Sequence, residues 1–230
     1  MNTPVEFALA LSSSSPTGTG SYYYKGSFKI VVQDLAYQKQ VSIWAQVGAG
    51  WKDIAAHYVQ SLPGNLELWI APANNNESEF VAKYTVSDMT YWDNNGGRNY
   101  KFPQVADEFA ALAGESYKVV LGNATLTTPT LHVDVGVQNI AYDKVVGILF
   151  TMDNWATVQT AYGTYRSTMK SGLEVWEVLA TVGSATEVKF TIFYRVAENE
   201  YWDNNFWRNY RVTSSSPPAP PSSQQWGDAP

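Results

Sequence analysis

Cysteine is absent from this chain of 230 residues. No disulfide can cross-link the fold, and no thiolate can hold a metal. Charge is also sparse. Lys and Arg number 15 against 21 Asp and Glu, for a formal net charge of −6. Gripping a polyanion takes clustered cations, and the 15 here are scattered. That argues against nucleic acid and anionic membranes as partners. No run approaches the ~18 consecutive apolar residues of a membrane-spanning helix. Residues 1–15 lack the basic stretch and apolar run of a secretory leader. The Asn-X-Ser/Thr tripeptides at Asn76 and Asn123 fit glycosylation acceptors, and a secreted location is the expectation.

Aromatic residues are abundant. Nine Trp and fifteen Tyr exceed what small cores can house, so most should be core and some surface. They recur in order. "YWDNNGGRNY" (Tyr91–Tyr100) returns as "YWDNNFWRNY" (Tyr201–Tyr210), identical at eight of ten positions. "LAYQKQV" (Leu35–Val41) returns as "IAYDKVV" (Ile140–Val146), Trp51 as Trp155, and "LELW" (Leu66–Trp69) as "LEVW" (Leu173–Trp176). The offsets drift from 104 to 110 residues, as loop insertions in a duplicated domain would make them.

Between these landmarks lie short β-rich runs bounded by Gly, Asn, Asp, Ser or Pro, such as "SFKIVVQDL", "EFVAKYTV" and "VKFTIFYRV". That spacing predicts antiparallel β-sandwiches. "ADEFAALAG" (Ala106–Gly114) has early acids and a final Gly, and reads as a helix in a connector. The expected division is a first module at 1–103, a connector at 104–115, a second module at 116–213 and a Pro/Ser linker tail at 214–230. Trp226 in that tail reads as incidental.

Asp-Asn-Asn-Gly-Gly is ordinary turn chemistry, because Gly and Asn accept positive φ. The second copy replaces the glycines by Phe206 and Trp207, which reads as though they were dispensable while the Trp, Asp, three Asn, Arg and Tyr were not. A calcium loop of the EF-hand type fails in both copies. Its sixth and twelfth positions should be Gly and Glu but are Arg98 and Gln104, then Arg208 and Ser214. Sugar binding suits the residues better. A pyranose presents a C–H face that lies flat on an indole, and edge hydroxyls that both donate and accept. An Asn side chain offers one acceptor and one donor group at fixed separation.

These motifs resemble a family 21 carbohydrate-binding module, the starch- and glycogen-binding type. "NIAYDK", the loop Trp, the "LELW" strand and "YWDNNGGRNY" carry the resemblance, in order, in both halves. Family 53 starch-binding modules end in a similar Trp-Asp-Asn-Asn element and stay open as an alternative. The resemblance implies an all-β protein of two tandem immunoglobulin-like antiparallel β-sandwich modules, each with two α-glucan surfaces. By position, the first surface would use Trp51 and Trp92, then Trp155 and Trp202. Asn94 and Asn99, then Asn204 and Asn209, would bond hydroxyls. The second surface would use Tyr37 and Tyr58, then Tyr142 and Tyr162. The family's further aromatics are replaced here by Val81 and Thr191, and by Leu66 and Leu173. Phe206 and Trp207 would enlarge the second module's site. Trp69, Trp176, Tyr84 and Tyr194 read as core, Tyr100 and Tyr210 as packed beneath the motif, and Arg98 and Arg208 as loop-orienting.

An enzyme is the first rival. Glycoside hydrolysis needs two positioned carboxylates, and the motif offers one Asp per half. His57 and His132 are not at equivalent positions. A glycogen-targeting scaffold is the second rival. Such subunits dock a phosphatase through Arg/Lys-Val-x-Phe, and the nearest match is "EVKF" (Glu187–Phe190). A module for a different neutral polysaccharide is a third possibility. The preferred expectation is a non-catalytic binder of starch, glycogen and maltooligosaccharides. It needs no cofactor and targets a covalently linked catalytic domain to its polysaccharide.

Overall fold

The computed structural model describes residues 3–16, 22–73, 77–101, 110–114, 116–169 and 172–214. Every regular element among them is a β-strand. In the first half these are β1 (Val5–Pro16), β2 (Tyr22–Gln33), β3 (Lys39–Val47), β4 (Gly50–Ala55), β5 (His57–Leu62), β6 (Leu66–Ala73), β7 (Glu77–Val86), β8 (Met89–Asp93) and β9 (Tyr100–Lys101). One sheet runs β10-β1-β2-β6-β5, where β10 is Ala110–Ala113. The facing sheet runs β4-β3-β7-β8, with β9 also on β7.

The second half comprises β11 (Val119–Thr127), β12 (Thr130–Gln138), β13 (Lys144–Thr151), β14 (Gln159–Thr168), β15 (Leu173–Thr181), β16 (Glu187–Val196), β17 (Asn199–Asp203) and β18 (Tyr210–Thr213). Its order is β11-β12-β15-β14-β13-β16-β17, with β18 on β16. The path repeats that of the first half with two differences: among the described residues no strand matches β10 on the edge of β11, and one strand is shared. Strand β14 serves both sheets. Its first part pairs with β13 and its last part with β15. In the first half the same path breaks at Ala56, whose N–H bonds the Val41 carbonyl at 2.9 Å, and so yields β4 and β5.

Alternation explains the strands. Val41, Ile43 and Ala45 of β3 are buried, and Ser42 and Trp44 between them are only partly covered. Such period-two burial is what a sheet with one face on a core requires. Phe28, Ile30, Ile43, Phe80 and Tyr84 fill the first core, and Val133, Ile148, Phe190, Ile192 and Tyr194 fill the second. Tyr84 and Tyr194 are fully buried, as the sequence predicts. Each donates its hydroxyl to a carbonyl, of Gln33 at 2.8 Å and Gln138 at 2.7 Å, so neither buries an unmet polar group.

The predicted helix at Ala106–Gly114 is not formed where the structure describes it. Ala110–Ala113 is strand β10, pairing Leu9–Ser12 of β1. Local helix propensity gives way to an unpaired sheet edge that needs a neighbour. Residues 106–109 and the tail from 215 onward lie outside the described residues.

A third apolar cluster joins the halves. Val31, Leu62 and Leu68 of the first half meet Val120, Met169, Leu173, Val175 and Phe206 of the second. On β2, Lys29 and Val31 point away from the first core while Phe28 and Ile30 point into it. The halves thus pack through the outer faces of two sheets. Polar contacts reinforce the seam. Gln60 Nε2 donates to the Phe206 carbonyl at 2.7 Å, and Arg208 donates to the Gln60 side-chain oxygen.

Candidate functional site

The repeated decapeptide forms the same turn twice. Asp93 accepts hydrogen bonds from the Phe7 N–H at 2.7 Å, the Asn95 N–H at 3.2 Å and the Tyr100 hydroxyl at 3.0 Å. Asp203 does likewise with Leu121 at 2.8 Å, Asn205 at 3.1 Å and Tyr210 at 2.7 Å. Each Asp therefore ties its loop to the first long strand of its own half. Burial pushes the Asp203 carboxyl above its ordinary value, against the bonds from Tyr210, Asn205 and Leu121. Burial likewise lowers Lys29, which Asp203 partly offsets.

The asparagines also serve the turn. Asn94 Oδ1 accepts from the Gly97 N–H at 3.0 Å, and Asn204 Oδ1 from the Trp207 N–H at 2.9 Å. Asn95 and Asn205 donate to the carbonyls of Asn99 and Asn209 at 3.0 and 3.1 Å. Asn99 and Asn209 themselves adopt φ of 54° and 57°, and Asn99 Nδ2 donates to Glu79 at 2.5 Å. The polar residues assigned to hydroxyl contacts are thus largely engaged in shaping the loop. Asn94, exposed, keeps its amide group to offer a ligand. Arg98 Nε reaches the Asn95 carbonyl at 3.5 Å, inside the loop, whereas Arg208 reaches across to Gln60.

The loop displays its tryptophan. Trp92 is 42% exposed and Trp202 is 44% exposed. In the first half Trp92 belongs to a wider platform. Trp51, on strand β4 rather than in a loop, stacks on Trp44 with centroids 6.3 Å apart and planes 18° apart. Lys83 Nζ lies 5.5 Å from the rings of both Trp44 and Trp92. Asp53 pairs with that ammonium at 2.9 Å and accepts from the Ser42 hydroxyl at 2.7 Å. Three indoles thus line one surface, braced by a cation.

The second half builds its counterpart differently. Leu149 stands where the register puts Trp44, and Phe193 where it puts Lys83. Phe193 is fully buried and touches Trp202 at 5.9 Å and Tyr162 at 6.1 Å. Gly147 makes room for it, since a Cβ there would meet the Phe193 ring at 2.5 Å. Tyr162, 62% exposed, therefore shares Phe193 with Trp202 and does not belong with the second surface. Trp155 sits in the β13–β14 turn with φ of 73°. Its N–H bonds Thr151 Oγ1 at 3.0 Å. Asp153 in the same turn has its carboxyl lowered to about 2, first by the Thr157 N–H bond and then by the Thr157 and Thr151 hydroxyls.

The second surface pairs different residues from those predicted. Tyr58 meets Trp69 edge-on at 5.9 Å, and its hydroxyl lies 3.0 Å from Ser61 Oγ. The matching residue is Tyr165, edge-on to Trp176 at 6.1 Å, with its hydroxyl 3.0 Å from Thr168 Oγ1. Tyr162 instead aligns with Ala55, because Gly147 and Ser42 pair these two. Trp69 and Trp176, expected in the core, are half-buried and pack against the core clusters from their margin. Their indole N–H groups donate to Glu67 at 2.9 Å and Glu174 at 3.1 Å, which hold Lys39 and Lys144 at 2.9 Å. Tyr37 and Tyr142, beside these lysines in sequence, are 98% and 95% exposed.

One further cluster escaped the sequence reading. His132 Nε2 lies 3.2 Å from Asp134 and 3.0 Å from Glu177, on neighbouring strands. These are the ligand types a divalent metal takes, with atoms inside 4.8 Å. Arg166 already holds the Asp134 carboxylate at 3.3 Å, so one of the three groups is engaged in an ion pair.

Residues 114–213 match the family described as carbohydrate/starch-binding module, family 21. Glucoamylase 1 of Rhizopus oryzae is 39% identical over 104 residues, covering 41% of this chain and 17% of that protein. Protein phosphatase 1 regulatory subunit 3B of Rattus norvegicus is 29% identical over 123 residues, covering 49% of this chain and 42% of that one. The chain thus spans less than half of each of these relatives. Among solved structures, the starch-binding domain of Rhizopus oryzae glucoamylase, in complex with beta-cyclodextrin and maltoheptaose, is 33% identical. It covers 42% of this chain and 93% of its own, with a TM-score of 0.32.

Proposed function

We propose, from the family-21 match over residues 114–213, that this chain is a non-catalytic α-glucan binder built as two tandem immunoglobulin-like modules. One observation supports extending the reading to the first half. The Tyr-Trp-Glu-Lys constellation of Tyr165, Trp176, Glu174 and Lys144 recurs as Tyr58, Trp69, Glu67 and Lys39. Exposed indoles offer flat apolar faces for sugar C–H groups, and the adjoining amides and hydroxyls suit neutral ligand edges. Neutral stacking and hydrogen bonds are little screened by salt, so binding should persist as ionic strength rises.

The glucoamylase relative supports an amylolytic enzyme as the attached partner, and an extracellular site of action goes with it. Asn123 is exposed on β11 and open to glycosylation. The phosphatase-subunit relative supports a glycogen-targeting scaffold as the second reading. Against docking through "EVKF", Val188 and Phe190 are fully buried in β16. Depletion of the chain from solution by insoluble starch, beside cellulose and chitin, tests the proposal. Depletion by starch alone is expected; equal depletion by cellulose would assign a different polysaccharide.

A further inference from the structure

The two copies of the motif differ at one place, and the difference is physical. Gly96 and Gly97 adopt φ of 62° and 88° in open space. Phe206 and Trp207 adopt φ of 55° and 67° at the matching positions. Left-handed backbone is unfavourable for residues with a Cβ and persists only where something compensates.

For Phe206 the compensation is visible. It is 8% exposed, 6.0 Å from the Tyr117 ring and 5.1 Å from Lys29 Nζ, and its carbonyl accepts from Gln60. It is the wedge between the halves, and only the second copy of the loop has one. Trp207 has no such return. It is 60% exposed, so the folded chain gains little from its strain. Its ring and that of Trp202 flank a cleft of about 410 Å³, within the ~300–1,000 Å³ usual for ligand pockets. The first half supplies one wall of this cleft with Glu6 and Leu66, and the second half supplies Tyr117 and Asn204.

We infer that this cleft between the halves is a composite binding site for a segment of α-1,4-glucan, present only when both halves are docked. The inference rests on the α-glucan reading above and adds a site to it. Trp202 and Trp207 offer faces for successive sugar rings. Glu6 provides a carboxylate acceptor for vicinal hydroxyls, and Asn204 an amide. Continuity with the exposed face of Trp202 lets a chain lying there run on into the cleft. Strain stored at Trp207 positions its indole before the ligand arrives.

The test uses the full chain and calorimetry with maltoheptaose. Trp51→Ala with Trp92→Ala removes the first platform, and the remaining binding is the reference. On that background Trp207→Gly should weaken binding at least tenfold. Glycine suits the backbone there, so the loss cannot be blamed on unfolding. Glu6→Gln, a near-isosteric change in the other half, should weaken it several-fold. Loss with Trp207→Gly but none with Glu6→Gln would overturn the composite site. So would a background protein that binds no maltoheptaose while the parent does. Cellohexaose bound with the same dependence on Trp207 would overturn the α-glucan assignment. A parent that binds no α-glucan would instead remove the underlying reading, and the inference with it.

Discussion

Trp92 and Asp93 are adjacent, yet their side chains have opposite jobs, so neighbouring substitutions should fail differently. Trp92 is exposed on the platform. Trp92→Ala should weaken maltooligosaccharide binding by about 1–3 kcal/mol, in line with binding hot spots, and leave the melting temperature nearly unchanged. A large fall in melting temperature would make the ring structural. Asp203, the second-half partner of Asp93, bonds two backbone N–H groups and a tyrosine. Asp203→Asn should cost about 1–3 kcal/mol of stability. Its pH dependence has a definite sign. Burial raises the folded-state pKa of Asp203 above its ordinary 3.8. The stability this contributes is fully present below the unfolded value and is lost as pH rises through the folded one. The penalty of Asp203→Asn should therefore shrink as pH rises from about 4. Thermal melts of parent and variant across pH 4–7 check this; a penalty that grew with pH would contradict it.

At the scale of the element, the motif turn sets up a contrast between two adjacent residues. Phe206→Gly relieves left-handed strain but empties the seam. Burying a Phe is worth about 1.5–3 kcal/mol, against about 1–2 kcal/mol of strain, so a small net destabilisation is expected. Trp207→Gly relieves similar strain at an exposed position and should stabilise the chain by up to about 1–2 kcal/mol while binding weakens. Denaturant titration of both variants should give opposite signs. The sequence carried much of this region. The duplicated Tyr and Trp residues marked the exposed rings, and alternation marked the strands. Three features were not legible. Tyr165 was hidden because the β13–β14 turn is longer than the β3–β4 turn: Ser42 pairs with Ala55, but the equivalent Gly147 pairs with Tyr162, so the offset read at Trp51 and Trp155 pointed to Tyr162. Trp44 was missed because a Trp between Ile43 and Ala45 looks like core, and only the pairing with β4 shows it stacked on Trp51. Phe206 and Trp207 looked like proof that glycine was dispensable; the structure keeps the glycine conformation and fits bulky residues to it. The helix expected near residue 110 failed for a related reason, since the edge of β1 decides the backbone of Ala110–Ala113.

Across the whole molecule, the apolar seam makes the halves one unit. Each outer sheet face would expose leucines and valines if separated, so a rigid pair with fixed geometry is expected rather than two tethered beads. On a polymer, the second contact of such a pair becomes intramolecular, and avidity can rise by roughly 10²–10⁴ where the geometry allows both to engage. A maltooligosaccharide too short to reach both platforms at once should show no such gain. The central claim is that both halves bind α-glucan. Its most direct test is a set of adsorption isotherms on granular starch for four full-length chains. These are the parent, Trp51→Ala with Trp92→Ala, Trp202→Ala with Trp207→Gly, and all four changes together. The account predicts weakened but measurable adsorption for each two-residue variant and the weakest adsorption of the four for the fourfold variant, which keeps only the Tyr58–Trp69 and Tyr165–Trp176 surfaces. A two-residue variant indistinguishable from the fourfold one, with its partner indistinguishable from the parent, would show that a single half does the binding and contradict it.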